Sequence, residues 1–200
     1  MATKEKILES ALKLFNEKNT QAATTNHIAA SAGISPGNLH YHYANREEII
    51  RKLYKLMREE FSALSDTYPS SITELAKLHE KIFKIEWKYR FFYRELLFLL
   101  SKDDDLRKIY QKEILKEKEQ AKRIIQALKN YGVLKIPYDN IIDYLSDMIL
   151  LIDQFWSSYM QLTDQFSLNK GIETGIQRIE ETLRPFLSKE ALKELAKFER

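Results

Sequence analysis

"TTNHIAASAGISPGNLHYHYANREEI", residues 24–49, decides how this chain folds. Thr24 is a residue type that caps helix N-termini. It precedes a short amphipathic stretch with Ile28, Ala29 and Ala32 on its buried side. Gly33 suits the left-handed end of that helix. Pro36 then holds Ser35 extended, Ser35 caps, and Pro36 fits the first position of a new helix. Asn45 opens a further helix, with Glu48 at the capping-box position three residues on. Three of the chain's nine Gly and Pro fall within residues 33–37.

Outward from this stretch the chain reads as helix after helix. Ile7, Leu8, Ala11, Leu12, Leu14 and Phe15 mark a first helix ending near Asn19. Ile49, Leu53, Met57 and Phe61 mark the buried face of the helix that Asn45 opens. "SDTYPSS" at 65–71 is a linker. The spacing of Leu75, Leu78, Ile82, Ile85, Tyr89, Phe92, Leu96 and Leu99 predicts one long helix over 72–100. "SKDDD" at 101–105 breaks it, and its acids favour the start of the next helix rather than a metal site. Residues 139–166 carry two apolar stripes. One holds Ile141, Leu145, Met148, Ile152, Phe155, Tyr159, Leu162 and Phe166. The other holds Ile142, Ile149, Trp156 and Met160. A helix after Gly171 stops at Pro185. The expectation is an all-α protein with two domains: residues 1–62, an N-terminal three-helix helix-turn-helix domain, and residues 63–200, a helical bundle.

Composition agrees. Apolar residues make up 44% and charged residues 30% of 200 residues, with five Gly and four Pro. With no cysteine, thiolate catalysis, disulfides and Cys-ligated zinc are excluded. No apolar run approaches bilayer length, and the amphipathic start lacks a signal-peptide core, so a cytoplasmic location is expected. Net charge is +3, and residues 1–60 carry nine Lys and Arg against seven Asp and Glu. Nucleic-acid contact must therefore come from placement rather than bulk charge.

A short helix, a glycine turn and a second short helix form the helix-turn-helix unit, whose second helix reads the major groove. Gly37 would let that helix approach a duplex, and Asn38, His40, Tyr41 and His42 offer hydrogen-bonding groups. A Gly–Pro break between helices also serves as a plain loop, and spacing alone leaves both readings open.

The residues themselves go further. Thr24-Thr25, Ile28-Ala29, Ala32-Gly33-Ile34-Ser35, Gly37-Asn38-Leu39-His40-Tyr41-His42-Tyr43 and Arg46-Glu47-Glu48-Ile49 closely resemble the DNA-binding domain of TetR-family transcriptional regulators. Three positions differ from the family's usual residues: His40 for Tyr, Tyr43 for Phe and Arg46 for Lys. The resemblance implies that Thr25, Tyr41 and Arg46 grip phosphates. It implies that Ser35, Pro36, Gly37, Asn38, His40 and His42 face the groove, and that Tyr43 faces the core.

For residues 65–200 the resemblance is to the family's second domain, a helical bundle with a cavity for a small ligand. Bottom-up, Phe83, Trp87, Tyr93, Phe155, Tyr159 and Met160 are candidate walls of a mainly apolar pocket. Glu86 and Arg90 are spaced for an ion pair. TetR-like proteins dimerise through their last two long helices. Ile142, Ile149, Trp156, Ile172, Ile176, Ile179 and Leu183 are the expected homodimer surface. The implied function is a dimeric, ligand-responsive regulator, expected to repress, that binds a near-palindromic operator in double-stranded DNA. The alternative is a ligand-binding or protein-interaction module in which the helix-turn-helix is only structural. An enzyme is not expected, since the chain has no phosphate loop, G-x-S-x-G or H-E-x-x-H. No cofactor, metal or membrane partner is expected.

Overall fold

A computed structural model describes residues 3–162 and 167–197. Phe166 of the expected stripe lies outside the described residues. Eleven α-helices follow in order among those residues: α1 (Thr3–Glu17), α2 (Thr25–Ser31), α3 (Pro36–His42), α4 (Arg46–Ser62), α5 (Ile72–Lys88), α6 (Arg90–Arg94), α7 (Leu96–Lys102), α8 (Asp104–Asn130), α9 (Asn140–Leu162), α10 (Leu168–Leu183) and α11 (Lys189–Leu195). A 3₁₀ turn over Arg184–Phe186 carries Pro185 and ends α10.

The chain divides into two compact units, Met1–Ser62 with Tyr89–Lys108, and Ala63–Lys88 with Ile109–Arg200. The expected single boundary after residue 62 is one of three crossings. The expected helix over 72–100 is also broken, at Tyr89 and again at Glu95, whose ψ values of 28° and 14° leave the helical well. The cause is burial. Phe91, Phe92 and Tyr93 are all buried, and a continuous amphipathic helix cannot turn three consecutive residues to one side.

In the first unit these aromatics complete the core. Phe91 lies 5.2 Å from Phe15 and Phe92 stacks at 4.8 Å on Tyr54. Tyr93 meets Phe92 edge-on, so it is core of this unit rather than a wall of a pocket in the other. Asp103 accepts from the Leu106 N–H and pairs with Arg51 at 2.6 Å. The acidic run therefore caps α8, as its position before a helix suggests.

The second unit packs Ile72, Leu75 and Phe83 of α5 against Leu145 and Ile149 of α9 and Ile179 and Leu183 of α10. Asp147, Asp143 and Asp139 on or just before α9 pair with Lys118, Lys122 and Lys129 of α8, which fixes the two helices antiparallel. This packing overturns part of the expected dimer surface. Ile149, Ile179 and Leu183 are core residues of a single chain, and Ile142, Trp156, Ile172 and Ile176 pack partly buried against that core. The stripe left outside on α9 is instead Tyr144, Leu151, Phe155, Tyr159 and Leu162. The core takes residues from both stripes expected on α9, Leu145 from one and Ile149 from the other, and hydrophobicity alone does not foretell that division.

Gly175 sets the approach of α10 to α5. A Cβ there would sit 2.6 Å from Phe83 Cζ and 3.0 Å from Trp156 Cδ1, whereas one at Gly171 would meet nothing within 4 Å. Gly175→Ala should destabilise the protein by about 1–3 kcal/mol through overpacking. Gly171→Ala should stabilise it by roughly 0.5–1 kcal/mol through helix propensity. Denaturant unfolding of both variants checks the contrast, and equal effects would show that Phe83 does not fix this contact.

Candidate nucleic-acid interface

The turn between α2 and α3 is set by backbone chemistry. Gly33 has φ +66°. Its N–H reaches the Ala30 carbonyl and the Ile34 N–H reaches Ala29, the paired bonds of a Schellman ending. Thr24 accepts from the His27 N–H to start α2, and Ser35 accepts from the Asn38 N–H to start α3 at Pro36. The His27 Nδ1 lies 3.0 Å from the Ala22 carbonyl and 3.4 Å from the Thr24 N–H, so this ring braces the loop before α2. At α4, Asn45 accepts from the Glu48 N–H, and Glu48 reaches back to the Ala44 N–H, one residue beyond the expected capping-box partner.

These bonds hold α3 with one face in the core and one in solvent. Leu39 and Tyr43 are buried. Burial, and then the charge of Glu48, push the Tyr43 phenol above its ordinary pKa. Ser35, Pro36, Gly37, Asn38, His40 and Tyr41 are exposed, and Thr25 and His42 are half-buried. Tyr41 is 84% exposed, with its ring edge-on to His42. The His40 Nδ1 lies 3.3 Å from the Ala44 carbonyl. An exposed tyrosine beside hydrogen-bonding side chains on a short helix can contact phosphates and base edges.

Arg46 departs from its expected role. Its Nη1 donates to the Thr20 carbonyl at 2.8 Å and its Nη2 meets Glu47 at 3.2 Å. The guanidinium ties the loop after α1 to the start of α4 instead of standing free for a phosphate. Residues that the sequence reading missed hold the same loop. Glu95 accepts from the Thr20 N–H and Oγ1, and Arg94 donates to the Phe15 and Asn16 carbonyls. These two follow three aromatics in sequence, and nothing in helical periodicity marks them.

The second unit has a cavity of about 20 Å³. Phe83, Trp87 and Met160 line it, together with Glu86, Trp156 and Ser157. Phe155 and Tyr159 do not, because they are on the exposed stripe of α9. Glu86 is not the surface residue that its spacing to Arg90 suggests: α5 ends at Lys88, and Glu86 turns into the core with only 2% exposure.

Residues 7–53 match the family described as bacterial regulatory proteins, tetR family, and residues 52–195 match the one described as bacterial transcriptional repressor. The chain belongs to the TetR family of transcriptional regulators. It is 30% identical, with TM-score 0.90, to the solved structure of a TetR-family regulator from Marinobacter aquaeolei VT8, over 98% of this chain and 97% of that one. Over 107 residues it is 30% identical to IcaR of Staphylococcus epidermidis, the negative transcriptional regulator of the biofilm operon icaADBC. That match covers 54% of this chain and only 51% of IcaR. SmeT, solved with triclosan, shares the fold at TM-score 0.66 and 16% identity over 96% of this chain and 94% of that one.

Gly37 tests how this TetR-family helix meets DNA. Nothing lies within 4 Å of a Cβ built there, so Gly37→Val should leave the melting temperature within a few degrees while reducing DNA affinity at least tenfold by holding α3 off the duplex. Unchanged affinity would place this face away from DNA. Tyr41→Phe removes a hydroxyl expected on phosphate, so it should weaken binding to all duplexes alike. A changed base preference would contradict that assignment.

Proposed function

We propose that this protein acts as a two-fold dimer that represses transcription by binding a near-palindromic operator, and that a small, mainly apolar ligand releases it. The carrying observation is α3: capped, pinned by the Gly33 turn, and presenting Asn38, His40 and Tyr41 outward. Ser35, Pro36, Gly37 and His42 share the groove-facing role, and Thr25 contacts a phosphate. Two such helices about 34–36 Å apart would read successive major grooves on one side of a duplex. The repressor name of the partly matched relative supports the direction of control. No catalytic role is proposed. None of the described helices is long and apolar enough to cross a membrane, and the protein works in the cytoplasm, where the chromosome is.

The dimer forms through α9. Tyr144, Leu151, Phe155, Tyr159 and Leu162 make an exposed apolar stripe along this helix, of the kind that marks a protein interface. A ligand site in the Ala63–Lys88 and Ile109–Arg200 unit is supported by the cavity beside Phe83 and by the triclosan bound to SmeT, which shares the fold. At about 20 Å³ the cavity admits one water, so ligand entry must open it. A tenfold loss of DNA affinity on ligand binding requires a coupling of about 1.4 kcal/mol, and DNA then weakens the ligand by the same factor.

Selection of bound sequences from random duplexes should return an inverted repeat, and its absence would remove the operator reading. Leu151→Glu combined with Phe155→Glu should convert the protein to a folded monomer in sedimentation velocity and weaken operator binding at least a hundredfold. A dimer that survives both charges would place the interface elsewhere.

A further inference from the structure

The cavity of the second unit holds a polar group that the core does not satisfy. Glu86 is 2% exposed, lines the cavity and has no hydrogen-bond partner at Oε2. Ser157 lines the same cavity, and its buried Oγ is also unpartnered. A buried carboxyl without a partner is costly, and sites of this kind persist where something else satisfies them.

The surroundings say what that is. Asp153 on α9 and Glu117 on α8 are close enough to Glu86 for their charges to oppose its ionisation. Asp153 has its own buried, unpartnered Oδ1. Its Oδ2 lies 3.8 Å from His79 Nε2. Burial lowers the His79 pKa to about 4, so this imidazole is neutral at pH 7 and supplies no positive charge. Its Nδ1 lies 3.0 Å from the Leu75 carbonyl. Among the described residues, neither Glu86 nor Asp153 is paired with a lysine or arginine. From α10, Leu168, Gly171 and Ile172 line the cavity, and the Arg178 guanidinium of the same helix lies 5.8 Å over the Trp156 ring without pairing to Glu86. The remaining walls include the indoles of Trp87 and Trp156, the strongest aromatic partners for a cation.

We propose that this cavity receives the positively charged head of a hydrophobic amine or quaternary ammonium compound, with Glu86 as its counter-ion and Trp87 and Trp156 against its faces. The inference rests on the reading of this unit as ligand-binding and names the chemistry of the ligand. Both indoles are only half-buried, so the headgroup enters by displacing one of them. Burial, then Asp153 and Glu117, raise the Glu86 pKa well above the usual range, and burial with Glu117 does the same to Asp153, so in the empty cavity this pair of carboxyls holds a proton. The cation binds the ionised form and displaces that proton to solvent. Affinity therefore rises with pH, by up to about tenfold per unit while Glu86 remains protonated in the free protein.

The test uses full-length protein and two probes of nearly equal shape, benzyltrimethylammonium and its neutral carbon isostere neopentylbenzene. The chain has two tryptophans and both line this cavity, so intrinsic fluorescence reads its occupancy. The cation should bind at least tenfold more tightly than the isostere and tighten from pH 6 to pH 8. Glu86→Gln should cost the cation at least tenfold, flatten its pH dependence to what Asp153 alone supplies, and leave the isostere unchanged. Equal affinity for the two probes, binding of neither, or a cation affinity indifferent to Glu86→Gln would overturn the proposal. The wild-type comparison and pH series decide the matter even if the variant folds poorly. Operator release is measured separately. A cation that binds without releasing DNA sinks the proposed switch and leaves the site standing. Release by neutral compounds alone does the reverse.

Discussion

Thr20 is 1% exposed, and three of its polar atoms are held by charged side chains. Its N–H and hydroxyl bind the Glu95 carboxylate, and its carbonyl binds the Arg46 guanidinium. Hydrogen bonds to charged groups are among the stronger ones in proteins, about 1.5–3 kcal/mol each. Arg94 adds bonds to the last carbonyls of α1, which have no partner within the helix. One buried residue thus joins the end of α1, the start of α4 and the α6–α7 junction. The bed on which α2 and α3 lie depends on this knot. It is also why the DNA-reading unit includes Tyr89–Lys108, residues that lie beyond the linker in sequence.

Local chemistry was legible in the sequence. Thr24, Gly33, Ser35-Pro36 and Asn45 each have a backbone task that few residue types perform, and each performs it here. The exposed face of α3 followed from the same reading, because Leu39 and Tyr43 had to turn inward. Arg46 was legible as a cation at a helix start. A carbonyl 26 residues earlier in the chain, which captures it, was not.

Long-range choices were hidden for physical reasons. Of Phe91, Phe92 and Tyr93 only Phe92 falls on the helical stripe, yet all three are buried and the helix breaks on both sides of them. On α9 the core takes residues of both apolar stripes, Leu145 from one and Ile149 and Met160 from the other, while Phe155, Tyr159 and Leu162 of the first stay outside. The absence of a Cβ at Gly175 lets Phe83 and Trp156 close against α10. As a result Trp156, expected at a dimer surface, lines the cavity, while Phe155 and Tyr159, expected in the cavity, face outward. Glu86 looked like a surface partner of Arg90 because i,i+4 spacing assumes that the helix continues. The break at Tyr89 removes that assumption and leaves a carboxyl in the core.

All of this geometry converges on α3 as a sequence-reading element, and salt dependence tests that most directly. Affinity for a selected inverted repeat and for its scrambled duplex would be measured from 50 to 300 mM salt. Phosphate contacts make both fall linearly on a log–log plot. Base contacts from α3 keep the selected duplex at least about a thousandfold tighter at every salt concentration. Two superimposed lines would mean that the protein holds DNA by charge alone, and that α3 does not read it.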